Sequence, residues 1–133
     1  MKNDIFKLTI PSKPDYISVA RLTSSSIANK IGFNIDDIDD IKVSIAEACI
    51  NALNKSEQID IVFKILDDKF IMIVDNVSIY NEEEDNNKEM ELGILIIKSL
   101  MDEVNFSEKG VEMIKYIEDG NIWKQINTLN KKI

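Results

Sequence analysis

The sequence contains no histidine and only one cysteine, Cys49. Ser-His-Asp and Cys-His catalysis therefore lack their base, and histidine-ligated zinc lacks its ligand. A single thiol cannot close an intramolecular disulfide, so the chain is not a stapled secreted scaffold. Glycine and proline are scarce, four and two among 133 residues, which argues against a turn-rich β-sandwich and against extensive disorder. No apolar run approaches the roughly 20 residues needed to cross a bilayer, and Met1-Lys2-Asn3-Asp4 does not open onto a signal-peptide core. Positive charge is also short. Sixteen Lys and Arg against 24 Asp and Glu leave a formal charge of −8, without the clustered basic surface that nucleic-acid phosphates require. These absences point to a cytoplasmic protein with neither a membrane nor a direct nucleic-acid partner.

What is present suits one soluble domain spanning residues 1–133, with 44% apolar and 30% charged residues. Phe6, Leu8 and Ile10 alternate with Lys7 and Thr9, which predicts a half-buried strand ended by Pro11. Pro14-Asp15 suits a first helical turn, and the helix it opens runs to about Ile31 before Gly32. Asn34 is a good N-cap for a second helix reaching about Asn54, with Asp36 and Asp37 at its positive end. Two strands follow: Ile59, Ile61, Phe63 and Ile65 alternate, and Phe70–Val74 form an apolar run, with Asp67-Asp68 in the turn between. An acidic loop centred on Glu82-Glu83-Glu84-Asp85 leads to a third helix over about 92–101. A last strand pair covers 104–106 and 111–117, with Lys109-Gly110 in its turn. The tail over 120–133 is weakly helical, with Trp123 and Ile126 as packing points. The order β-α-α-β-β-α-β-β, with short turns between paired strands, predicts an α+β two-layer sandwich.

The second helix is the most informative. Ile38, Ile41, Ile45, Ala48, Cys49 and Ala52 form one apolar stripe, flanked by Val43, Ala46, Ile50 and Leu53. Only a narrow strip of Asp40, Ser44, Glu47, Asn51 and Asn54 stays polar, apart from Lys42. Glu47 and Asn51, four residues apart, share that strip. It is either the solvated edge of a core helix or the wall of a cleft between buried elements. Cys49, on the apolar stripe, reads as a core residue.

Ile41-Lys42-Val43-Ser44-Ile45-Ala46-Glu47-Ala48-Cys49-Ile50-Asn51-Ala52 resembles the N-box of the anti-sigma-factor serine kinases, a branch of the GHKL ATPase superfamily. Val19-Ala20-Arg21-Leu22-Thr23 is similar to that family's first helix. Leu92-Gly93-Ile94 through Ser99-Leu100-Met101-Asp102-Glu103-Val104 is similar to its glycine-containing box and the helix and strand beyond. The resemblance implies the histidine kinase-like ATPase fold, a mixed, mostly antiparallel sheet covered on one face by helices. It also implies an anti-sigma factor that sequesters an RNA polymerase sigma factor and transfers the γ-phosphate of ATP to a serine of an anti-anti-sigma protein. Carried residue by residue, Glu47 is the general base, Asn51 the Mg²⁺ ligand and Asp75 the acceptor for the adenine amino group. Gly93 then admits backbone N–H groups to phosphate at a helix start, and Arg21 faces a protein partner. Dimers are common in the family, and the apolar first strand suits an edge contact. A histidine-kinase catalytic domain shares the fold, but the short lid and the segment Ser99–Val104 stand closer to the anti-sigma group.

The chain also departs from the pattern. Val77 stands where the family's Asp-x-Gly turn has glycine, and a β-branched residue there is strained if φ is positive. Val111 replaces a threonine, Gly93 is the only glycine left in its box, and the loop over 81–91 is acidic. These losses define the alternative, a non-catalytic partner-binding module on the same fold with a weakened ATP site.

Overall fold

In the computed structural model, residues 3–78 and 88–117 are described. The central part of the acidic loop (79–87) and the tail from 118 onward, with Trp123 and Ile126, lie outside them. The elements are β1 (Asp4–Pro11), α1 (Ile17–Ile31, entered through a 3-10 turn at Pro14–Tyr16), α2 (Ile35–Ala52), β2 (Gln58–Ile65), β3 (Lys69–Val74), α3 (Lys88–Leu100), β4 (Glu103–Ser107) and β5 (Gly110–Tyr116). Their order is the one expected. The strands form a single sheet in the order β1-β2-β3-β5-β4, and every pairing is antiparallel. The expected parallel admixture is therefore absent among the described strands.

The inward strand face carries Ile59, Ile61 and Phe63 of β2, Phe70, Met72 and Val74 of β3, and Val111 and Met113 of β5, all buried. Period-2 alternation places them under the helices, where α2 contributes Ile41, Ile45, Ala48, Cys49 and Ala52 to the same core. Phe63 stacks on Phe70 at 6.1 Å between ring centroids, and Phe33 tilts against Phe70 at 6.3 Å. Burial of each such side chain contributes about 1.5–3 kcal/mol. β1 is less buried than its alternation suggests. Ile10 is enclosed and Leu8 half-buried, whereas Ile5 is 58% and Phe6 47% exposed at the sheet's edge.

Asn34 caps α2 as expected, its Oδ1 accepting the Asp37 N–H at 2.8 Å. α2 lies between α1 and α3 and runs antiparallel to α3. Buried Lys115 of β5 ties one end of that helix pair. Its Nζ donates to the Leu100 carbonyl at 2.8 Å and lies 3.6 Å from both Asp37 and Asp40. The opposite end, where the C-terminal half of α2 meets the N-terminal half of α3, is where the polar strip opens. Val43 and Ile50 are exposed rather than enclosed. The apolar stripe of α2 is buried as expected, while part of its apolar flank faces out. Ser44 and Asn51 of the strip are buried, and among the described residues Ser44 Oγ has no hydrogen-bond partner.

The turn into β5 presses on the end of β3. Gly110 has φ 129°, and a Cβ there would stand 2.0 Å from the Val74 carbonyl oxygen. Only glycine permits that approach.

Candidate functional site

Glu47, Ile50 and Asn51 of α2 face Glu89, Met90 and Gly93 of α3 across a cleft of about 110 Å³. The spacing of Glu47 and Asn51 puts both on one side of α2, so the strip is a cleft wall and not a solvated edge. Gly93 makes the meeting of the helices possible, since a Cβ in its place would lie 2.7 Å from Glu47 Oε2. Its position differs from that expected. Gly93 lies inside α3, which begins at Lys88, and not at a helix start. An interior helical N–H is committed to the carbonyl four residues back. The run Lys88-Glu89-Met90-Glu91-Leu92 has high helix propensity, and Glu89 and Glu91 favour the positive end, so the helix extends backward through the box.

Asn51 is 4% exposed and its side chain is fully engaged. Oδ1 accepts the Ser78 N–H at 3.2 Å and the Lys55 ammonium at 2.9 Å, while Nδ2 donates to the Ser78 carbonyl at 3.1 Å. Because an ammonium can only donate, the atom facing it must be the oxygen, which fixes the orientation of the amide. Lys55 Nζ also donates to Ser78 Oγ at 3.1 Å, and burial lowers the pKa of its ammonium.

Asp75 follows the last residue of β3. Its Oδ1 accepts the Asp60 N–H at 2.9 Å. Burial pushes its carboxyl above the ordinary aspartate range; that bond opposes the shift and the charge of Asp60 adds to it. Beneath lies Cys49, whose thiol is pushed up to about 12 by burial and, secondarily, by the charge of Asp75. It is an inert core thiol, as expected. Asp75 does not line the cleft between α2 and α3. It connects to it through Asn76-Val77-Ser78, the last of which pairs with Asn51.

That connection corrects the expected strain. The positive φ of 59° falls on Asn76, a residue that tolerates it, while Val77 is buried in the core. Val111 is likewise a core residue, paired with Val74. Arg21 stands apart, exposed on α1.

The donor set suits Mg²⁺ in one manner only. No cluster of three or more acidic, cysteine or histidine side chains among the described residues could hold a metal by itself. One amide oxygen with carboxylates nearby fits an ion ligated mostly by phosphate and water. Sequence reasoning missed Lys55, Ser78, Glu89 and Met90. The signal for Lys55 was its spacing, four residues beyond Asn51 and eight beyond Glu47, but a helix taken to end at Asn54 hides it.

Residues 10–115 match the model of the histidine kinase-like ATPase domain. Among curated proteins, the chain is similar to the serine-protein kinase RsbW of Oceanobacillus iheyensis, with 35% identity over 90% of this chain and 90% of the relative. The serine-protein kinase RsbW of Staphylococcus aureus is 32% identical, covering 88% of this chain and 89% of the relative. That of Bacillus subtilis is 31% identical over the same shares.

Proposed function

The chain belongs to the histidine kinase-like ATPase domain family, and from that premise we propose that it is an anti-sigma factor with ATP-dependent serine kinase activity. It sequesters an RNA polymerase sigma factor and phosphorylates an anti-anti-sigma protein. The observation that carries the catalytic part is the cleft in which Glu47 and Asn51 stand side by side opposite Gly93. The serine-protein kinase names of the relatives support it.

Phosphoryl transfer asks a protein for positioning, charge neutralisation and one group oriented on the nucleophile. Glu47 takes the proton of the acceptor serine as its Oγ–P bond forms and the bond from the γ-phosphorus to the bridging oxygen of ADP breaks. Asp75 accepts from the adenine amino group, and Asn51 Oδ1 is the side-chain ligand for Mg²⁺. The bound ion supplies charge neutralisation to the phosphates. Gly93 keeps the space in which the Glu47 carboxylate lies. At about 110 Å³ the cleft is smaller than the roughly 300–1,000 Å³ of small-molecule sites. In this reading the first turn of α3, which carries Glu89 and Met90, draws back to admit the nucleotide, turning about the end pinned by Lys115. Arg21 belongs to the surface presented to protein partners. The reading places the protein in the cytoplasm; no helix among the described residues is long and apolar enough to cross a membrane.

The test is Glu47→Ala, with phosphorylation of the anti-anti-sigma serine and partner binding measured side by side. A base contributes about 10²–10⁴-fold, so phosphorylation should fall by that factor while sigma-factor binding holds. An unchanged rate rejects the base assignment. Absence of ATP and ADP binding at millimolar nucleotide in calorimetry of the unmodified protein favours the non-catalytic module instead.

A further inference from the structure

We infer that Lys55 is a built-in competitor for the metal-ligand oxygen of Asn51, and so sets how strongly nucleotide binding depends on divalent cation. The inference rests on the nucleotide reading above. Asn51 Oδ1 has two lone pairs, and both are taken, by the Lys55 ammonium at 2.9 Å and the Ser78 N–H at 3.2 Å. Ligation of a cation requires one donor to leave. The Ser78 N–H is locked, because the same amide returns a bond from Nδ2 to the Ser78 carbonyl, pairing side chain to main chain twice over. Lys55 is the donor that can leave, a long exposed side chain that joins the site only through its tip.

The ammonium is also held in an unusual way. Among the described residues its partners are two neutral oxygens, Asn51 Oδ1 and Ser78 Oγ, and no carboxylate pairs with it. A cation kept beside a buried amide oxygen, with no carboxylate of the described residues paired to it, occupies the electrostatic position that a metal ion would take. Lys55 therefore holds Asn51 ready in the nucleotide-free protein and must release it before the oxygen can serve a divalent ion. Removal of the ammonium should make the oxygen more available to metal without improving the rest of the site.

The experiment measures ADP binding by calorimetry across a Mg²⁺ series from zero to millimolar, for the unmodified protein, Lys55→Met and Lys7→Met. Lys7, exposed on the edge strand β1, controls for the loss of one positive charge from an acidic chain. The expected result is a Mg²⁺ midpoint roughly tenfold lower in Lys55→Met, the scale of one hydrogen bond to a charged group. Metal-free ADP affinity should not tighten, and Lys7→Met should match the unmodified protein. A midpoint unchanged in Lys55→Met, or shifted equally in both variants, overturns the inference while leaving the nucleotide reading standing. Failure of the unmodified protein to bind ADP at any Mg²⁺ concentration overturns both.

Discussion

Asp75 keeps a carboxylate where burial works against its charge. With the folded pKa raised, the group contributes stability that is fully present below the unfolded value, near 4, and lost as pH rises through the folded one. Its ionised form is therefore a cost at neutral pH, retained for something other than stability. Asp75→Asn keeps an oxygen for the Asp60 N–H and removes the charge, but in the proposed site it would set an N–H₂ donor against the adenine amino group. We expect a urea midpoint at pH 7 equal to or above that of the unmodified protein, with the difference shrinking toward pH 4. ADP affinity should fall about tenfold or more. A clear loss of stability at pH 7 would contradict this account. That Asp75 closes a strand was legible in the sequence from the apolar run before it, as was the core character of Cys49. The adjacent turn was not. Val77 draws attention as the residue in a glycine's place, yet Asn76 takes the left-handed conformation and Val77 joins the core, because the chain meets both demands by shifting the turn one residue.

Elements were more legible than their ends. Strand alternation, an apolar run and the Asn34 cap predict β2, β3 and the start of α2 respectively, because each signal is local. The start of α3 was misplaced because the polar, acidic stretch up to Glu91 reads as a loop, while Lys88-Glu89-Met90-Glu91-Leu92 are good helix formers that extend the helix back to Lys88. Gly93 consequently acts on the facing helix instead of on its own backbone. A methyl group there would meet only the tip of Glu47, a flexible side chain that can swing aside. Alanine is also favoured over glycine inside a helix by about 0.5–1 kcal/mol. Gly93→Ala should therefore leave the melting temperature level or higher while lowering serine phosphorylation about tenfold to a hundredfold by misplacing Glu47, the proposed base. Wild-type phosphorylation in this variant would detach Gly93 from Glu47.

At the scale of the whole molecule, the two-layer α+β architecture followed from element order, but the cleft did not. No local window shows that the C-terminal half of α2 meets the N-terminal half of α3, or that Ser78 closes on Asn51. Among the described residues no strand pairs with the outer edge of β1, and that edge is where a second copy, as the family resemblance implies, would add. Ile5 and Phe6 are exposed on it, and Phe6 opens with Leu22, Ile27 and Ile65 onto an apolar groove of about 450 Å³. Sedimentation equilibrium should find a dimer that Phe6→Lys converts to monomer with the fold intact; a monomer in the unmodified protein sinks the edge-pairing scheme. The strand order has one more consequence, for the chain as it is made. Among the described strands β5 is the last in chain order, yet its place is between β3 and β4. Until Tyr116 has emerged, β3 offers an open hydrogen-bonding edge of apolar residues and β4 has nothing to join. The interval of greatest exposure to misassociation thus falls between the emergence of β4 and that of β5, and a chain cut short there leaves β4 parted from β3.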